Sequence, residues 1–511
     1  MQKIIPYLVA LLFLLVANFL EAQTLSSVVV DSATQKPIPY VTVQLKNKGM
    51  ITNEEGRFTF QLSENVQETD SLFISCIGYE SIKRPLNQFT EATIVLTAKA
   101  IELNPVIVSN KNYTAKEIVE MTEENIAKNY HLGLAKKRIF LRETNQSTII
   151  KTKYKIKRST ISSLNKTFLD SVVETIPRHN TYYNEVLGDL YGGDDNEKQK
   201  LDLIKASELY DKSLELDFEK LEDKFNKIIK ENVKTDSYFK VKSGIFGTKV
   251  DGDELFEADV DSTDVAALNK KLEEEKKNKE NRKKYFTSYK RKTLGNLYKN
   301  LPIFEDSDYN MLFKPGRYEF TLDDFTYLGE DAVYVISFVP KRSEDFKGKL
   351  YINSDDFALI RMDFQNVKSL KKFSLLGVSM NENLAKGSII FTKNDANKYQ
   401  LSYYNIEKGI RVGFKRPVKI IEKNKNVRGR RKQNELSLKV DAIFGNRNRY
   451  EVVVFNETPI NSSEYDAFKE TNTVLPTYIP NYDPEFWKGY DIIEPNQAIK
   501  EFTSIGQAEQ E

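Results

Sequence analysis

His131, His179 and Cys76 are the only histidines and the only cysteine in a chain of 511 residues, and they bound the chemistry open to it. A zinc site built from four cysteines, or from two cysteines and two histidines, cannot form within one such chain. Neither can an internal disulfide. Cys76 sits in the apolar run Ser71-Leu72-Phe73-Ile74-Ser75-Cys76-Ile77 with no base beside it. It therefore reads as a small buried hydrophobe, since free cysteine is among the most buried residue types and an inert thiol needs no activating neighbour. The acidic stretch from Asp251 to Asp264 invites a calcium reading, but Gly252 falls at the second position, where a calcium loop wants glycine at the sixth. A solvated acidic loop is the expectation. No pair of carboxylates stands out among the 74 Asp and Glu as an acid–base couple, so hydrolysis by paired carboxylates is the weakest functional class. No catalytic, cofactor-binding or metal-binding residue is assigned.

Charge supplies the remaining candidates. Lys and Arg number 76, for a formal net charge of +2, and that near-balance is unlike a dedicated nucleic-acid binder. The basic residues are nevertheless clustered. Residues 270–292 hold eleven Lys or Arg against four Glu, and residues 415–432 hold nine against one. The first run reads as a solvated helix or loop and the second as a hairpin tip. If either has a partner, anionic lipid headgroups are the physical choice, with nucleic acid excluded by compartment; each basic residue near such a surface is worth about 1 kcal/mol.

The compartment follows from the first residues. Lys3 precedes a charge-free run of 17 residues, Ile4 to Leu20, and then Glu21-Ala22-Gln23. A positive start, an apolar middle and a small residue before the cut are the layout of a secretory signal peptide over residues 1–22. The alternative is a retained anchor at the lower length limit for a membrane span. Export to the periplasm or the outer membrane, with outer-membrane or other envelope proteins as partners, is the expectation.

The elements behind these residues fall into zones. Residues 24–98 are strand-rich, with turns at Asn53-Glu54-Glu55-Gly56 and at Gly78, and suggest an antiparallel sandwich. Val30-Asp31, Thr34, Pro37-Ile38, Val41, Val43, Thr52-Asn53, Gly56, Phe58 and Ser75-Cys76-Ile77-Gly78-Tyr79 resemble the carboxypeptidase regulatory-like domain. The resemblance implies a seven-stranded, transthyretin-like sandwich found at the front of exported proteins of Gram-negative bacteria, an appendage with no catalytic residues of its own. Peptidase activity does not follow from the family's name. A carboxypeptidase zinc site needs two His and a Glu at set spacing, and neither His131 nor His179 has a Glu three residues on. Residues 99–113 read as a linker; Leu103 to Ser109 resembles the hinge that follows this domain in outer-membrane receptors.

Residues 114–305 form a helical and mixed, α-rich middle region. Thr114-Ala115-Lys116-Glu117 fits a capping box ahead of a helix reaching Tyr130. A strand pair is expected at 138–143 and 149–156, and a helix over Ile161 to Ile176. The seam Leu214, Phe218, Leu221, Phe225, Ile228 marks the strongest helix. Residues 306–460 alternate with period two and predict about nine or ten antiparallel strands, either a transmembrane barrel or a curved soluble sheet or half-barrel. Gly329–Ile336, Gly348–Asn353 and Asp356–Ala358 loosely resemble periplasmic lipoprotein-carrier half-barrels, a resemblance that implies a sheet cupping an apolar ligand. Residues 461–511 form a C-terminal tail, whose Trp487 is expected to pack over a sheet.

Two functions remain. The first is a non-enzymatic envelope protein acting in binding or scaffolding; the second is a carrier of lipid or another apolar ligand in the C-terminal sheet. A filled core inside that sheet favours the first. A continuous apolar cavity of about 300–1,000 Å³ favours the second.

Overall fold

The computed structural model describes residues 24–46, 48–62, 66–89, 92–99, 113–193, 198–234, 237–244, 246–251, 265–329, 331–394, 396–424, 426–428 and 431–503. The expected signal peptide, the valine-rich hinge and most of the acidic stretch lie outside them.

Seven short strands come first: β1 (Thr24–Asp31), β2 (Thr42–Leu45), β3 (Lys48–Ile51), β4 (Arg57–Gln61), β5 (Ser71–Ser75), β6 (Ile82–Pro85) and β7 (Thr93–Leu96). They form two sheets, ordered β4-β1-β7 and β3-β2-β5-β6. Val29, Val43, Phe58, Phe60, Leu72, Ile74 and Ile94 are buried between and beside them. Gly56 turns the chain before β4 with φ +68°, and a Cβ there would stand 2.5 Å from the Val29 carbonyl oxygen, so the turn takes only glycine.

Next come α1 (Ala115–Glu124), α2 (Ile126–Asn129), β8 (Ala135–Ser159), α3 (Lys166–Thr175), β9 (His179–Gly192), β10 (Lys200–Leu209), α4 (Ser213–Asn232), β11 (Ser237–Ser243), β12 (Phe246–Asp251) and α5 (Val265–Lys299). The rest is β13 (Tyr318–Leu328), β14 (Asp331–Pro340), β15 (Phe346–Asn353), β16 (Leu359–Asn366), β17 (Lys371–Leu375), β18 (Val378–Lys393), β19 (Tyr399–Asn424), β20 (Lys432–Pro459), α6 (Ser462–Ala467), β21 (Thr477–Tyr478) and α7 (Gln497–Lys500). The Thr114–Glu117 capping box forms and starts α1. The strand pair expected at 138–156 is instead one continuous strand, and the helix expected from Ile161 begins only at Lys166, capped by the Asn165 side chain.

β8 to β21 build one 14-stranded sheet along the path β13-β14-β15-β16-β18-β19-β20-β8-β9-β10-β21, which among the described residues does not close into a barrel. The middle region thus supplies strands to the same sheet as residues 306–460: β20 pairs with β8 from Leu436 opposite Ser159 to Pro459 opposite Ala135. Among the described residues no helix is long and apolar enough to cross a membrane.

The sheet is covered on both faces near its middle. Ile139, Leu141, Val186, Ile389, Tyr404, Val452 and Val454 point into a core completed by α1, α5 and residues 301–312. Their neighbours Phe140, Leu187, Ile390, Tyr403, Val453 and Phe455 point the other way, into a core shared with the sandwich. Ile139-Phe140-Leu141 and Val452-Val453-Val454-Phe455 are continuous apolar runs for that reason, since a strand buried on both faces loses its alternation. β8, β19 and β20 then run on past both covers; at about 3.3 Å per residue the 26 residues of β19 span about 86 Å. A small separate core caps their far end, where Ile161, Phe168, Ile228, Ile229 and Phe239 meet Ile420 and Leu436. Of the expected seam on α4, Leu221, Phe225 and Ile228 pack into that core, and Phe218 stays exposed.

Candidate functional site

The two histidines lie far apart. His131 Nδ1 is 3.1 Å from Glu457 Oε1, and Glu457 pairs with Lys137 on β8. His179 Nδ1 is 3.3 Å from Thr148 Oγ1, eleven residues further along the same strand, or about 36 Å. Cys76 is free, and burial pushes its thiol up to about 11, with nearby Arg361 opposing the rise.

The sandwich is joined to the large sheet by direct side-chain contacts. The Tyr40 ring stacks on Tyr403 with centroids 5.4 Å apart. Arg449 Nη1 reaches Glu54 of the sandwich at 2.6 Å while its Nη2 meets Glu451 of β20 at 3.1 Å. Gly78 N–H donates to the Tyr327 carbonyl at 2.9 Å. Beside these contacts lies a cavity of about 330 Å³, lined from the sandwich by Thr42, Phe73 and Cys76 and from the sheet by Arg361, Ile390 and Tyr399. Arg361 Nε is held by Asp363 at 2.9 Å. The helix-covered face of the sheet is filled: Leu294, Leu297, Leu301, Tyr309, Met311 and Leu312 occupy it as part of one buried cluster.

The two basic runs meet different fates. In residues 270–292 the last turns are consumed internally. Lys290 is buried with its Nζ 2.5 Å from Glu143 Oε2, and Arg291 pairs with Glu470 at 2.8 Å. Lys276, Lys277, Lys279, Arg282 and Lys284 remain exposed on α5. In residues 415–432 the described residues form the ends of β19 and β20 and the turn between them. Arg416 points to the buried side, where its Nη2 donates to the Ser243 carbonyl at 2.5 Å. Lys415 and Lys419 point to the opposite face.

That opposite face carries a group the sequence reading did not single out. Lys151, Lys153 and Lys155 alternate along β8 with Thr152, Tyr154 and Ile156. Register places Lys415, Asp441 and Lys153 on one rung, Pro417, Lys439 and Lys155 on the next, and Lys419, Ser437 and Arg158 beyond. Tyr154 faces the other way, its hydroxyl donating to Asp170 of α3 at 2.5 Å. Lys153, Lys155, Lys415 and Lys439 are exposed and line a shallow depression of about 380 Å³ with Asp441 as its one carboxylate. The hydrogen bond from Lys151, reinforced by the charges of Lys415 and Lys153, holds the Asp441 carboxyl below the usual carboxylate range. The signal was present in the sequence as lysine at every second position. It was not legible as a surface, because the other lysines arrive from β19 and β20, nearly 300 residues away.

Residues 25–108 match the family model described as CarboxypepD_reg-like domain, so the first domain is a member of that non-catalytic family. No curated protein matches the chain. Among solved structures, a LolA superfamily protein from Nitrosomonas europaea is 9% identical, with 65% of this chain and 93% of that chain covered and a TM-score of 0.16. MucB in the Pseudomonas aeruginosa MucA/MucB complex is 6% identical over 65% and 93%, with a TM-score of 0.15. MucB in complex with MucA(peri) is 6% identical over 68% and 99%, with a TM-score of 0.14. Scores this low establish no shared fold.

Proposed function

We propose that this chain is a non-enzymatic cell-envelope protein that binds and scaffolds in the periplasm or at the outer membrane, and that it meets an anionic surface through the lysine rungs of β8, β19 and β20. The observation that carries this is the one-sided placement of Lys153, Lys155, Lys415 and Lys439 around a single carboxylate. Strand register presents these cations side by side, and lipid headgroups attract each by about 1 kcal/mol. The sandwich, welded to the same face through Tyr40, Tyr403 and Arg449, leaves the rungs uncovered.

Co-sedimentation with vesicles tests the reading. The purified chain should bind vesicles containing phosphatidylglycerol and not pure phosphatidylcholine, with affinity falling steeply between 0.1 and 0.5 M salt. Replacement of Lys153, Lys155 and Lys439 by Gln, in the same full-length background so that residues 1–23 are common to all samples, should weaken that binding by at least tenfold. Equal binding to both vesicle types overturns it.

A second reading, a carrier of an apolar ligand, is favoured by one observation, the cavity of about 330 Å³ between sandwich and sheet. It shifts the ligand from the inside of the C-terminal sheet, which is filled, to the joint between domains. A stoichiometric lipid co-purifying with the chain, and lost on Ile390→Trp, would favour it; a ligand-free protein would remove it.

A further inference from the structure

We infer that the cavity between α5 and the large sheet binds a single neutral sugar ring, free or as one unit of a glycan. It stands apart from the lysine rungs, because it lies on the helix-covered face of the sheet and they lie on the face that carries the sandwich.

Strand register builds the floor of this cavity. Val452, Leu141, Val186 and Ala206 stand opposite one another across β20, β8, β9 and β10, and all four belong to the helix-covered core. Two residues further along, on the same face, the rung becomes Tyr450, Glu143, Asn184 and Glu208. The next holds Asn448, Asn145 and Tyr182. A dry core thus gives way within one step of the pleat to carboxylates and amides. Phe286, Tyr289 and Lys290 of α5 roof them, and about 240 Å³ lies between. That is just under the range of about 300–1,000 Å³ for drug-sized ligands, so it suits one ring.

Two neighbouring oxygens of the floor have no donor. Glu143 Oε2 takes Lys290 Nζ at 2.5 Å, while its Oε1 is buried without a hydrogen-bond partner among the described residues. Asn184, directly opposite, is 2% exposed, and its Oδ1 is equally unpartnered. The Tyr182 hydroxyl donates to Glu208 at 2.9 Å and is itself bonded by Asn184. The Asn184 amide nitrogen is therefore the donor there, and its oxygen is left at the cavity wall without one. Asn145 gives no relief, since its Nδ2 already donates to Asn448 Oδ1 at 2.6 Å. Buried acceptors are nearly always paired in a folded protein, so these two call for a ligand that brings donors.

Charge and ring faces select its class. An anion would meet the Glu143 carboxylate, with Glu208 behind Tyr182. An ammonium would meet the like charge of Lys290, which already occupies the Glu143 carboxylate. A neutral ligand avoids both. Tyr289 is 44% exposed at the cavity, and Tyr285, stacked on it with centroids 6.3 Å apart, is 73% exposed. A sugar ring combines the two needs: its C–H face lies on an aromatic ring, and its hydroxyls donate at the edge.

Saturation-transfer-difference NMR on the full chain tests this. The probes are methyl α-glucoside, methyl α-mannoside, methyl α-galactoside and N-acetylglucosamine at up to about 10 mM, which reaches Kd values in the millimolar range. At least one should receive saturation at its ring protons, and neither putrescine nor inorganic phosphate should displace it. Tyr289→Ala should weaken binding by about fivefold, and Asn184→Leu by about tenfold, with Trp487 emission and circular dichroism as in the wild type. If Asn184→Leu loses the wild-type spectrum, Tyr289→Ala, at an exposed position, carries the test alone. No transfer to any of the four sugars overturns the site and leaves a cavity filled by water. Displacement by putrescine overturns it in favour of an amine. Transfer that survives the substitutions overturns its placement.

Discussion

Trp487 Nε1 donates to Glu185 Oε2 at 2.8 Å beneath the C-terminal tail, while the other oxygen of Glu185 accepts from Arg142 Nε at 2.6 Å. Arg142 also donates to the Ile493 carbonyl at 2.7 Å and the Glu494 carbonyl at 3.3 Å. One buried ion pair on β8 and β9 therefore fixes both ends of the tail segment. The Trp487 ring meets Phe140 edge-on at 5.4 Å and joins the core shared by sandwich and sheet. The tail is a third partner in the joint between domains.

Glu185→Ala should therefore cost roughly 3–5 kcal/mol, because it leaves the Arg142 charge buried without its counterion. Trp487 is the chain's one tryptophan, so its fluorescence reports the tail directly. Urea unfolding of the variant should show a lower midpoint and red-shifted native emission. Unchanged emission would separate the tail from the pair.

The Cys76 thiol gives a prediction with a defined sign. Burial raises it to about 11, against about 8.5 in an unfolded chain. The fold disfavours the thiolate, so this residue's contribution is intact below the unfolded value and is lost as pH rises through it toward 11. At pH 8 the native thiolate fraction is about 0.1%, and alkylation by iodoacetamide should run on the order of 100-fold slower than in urea. Comparable rates would mean that the sandwich leaves the sheet readily.

Gly56→Ala should destabilise the sandwich by about 1–3 kcal/mol, since both the positive φ and the Val29 carbonyl oppose a side chain. Thermal unfolding followed by circular dichroism measures it. A Gly49→Ala control meets nothing within 4 Å and should be near neutral.

Leu376→Asn, in the β17–β18 turn at φ +49°, should raise stability by about 0.5–1 kcal/mol, as the turn then carries a residue suited to positive φ and exposes less apolar surface. Chemical denaturation compares it with wild type. A loss of stability would show that Leu376 has a packing role in the fold.

Much of this architecture was legible in the residues alone. The turn glycines, the ordered valines of residues 24–98 and the Thr114–Glu117 capping box are local devices, complete within a few residues, and the structure places them as read. Alternation in residues 306–460 fixed strands there because one face of each must be dry. The chain by itself could not say that β8, β9 and β10 belong to that same sheet, because pairing is decided by contacts between residues hundreds of positions apart. For the same reason the basic runs misled in part. Contiguous charge in sequence put Lys290 and Arg416 among solvent-facing groups, while tertiary packing buried both and assembled a cationic face from Lys153, Lys155, Lys415 and Lys439. Local backbone preference and side-chain period are properties of the sequence; which side chains share a surface is settled only when strands take their register, for register alone sets which lysines become neighbours.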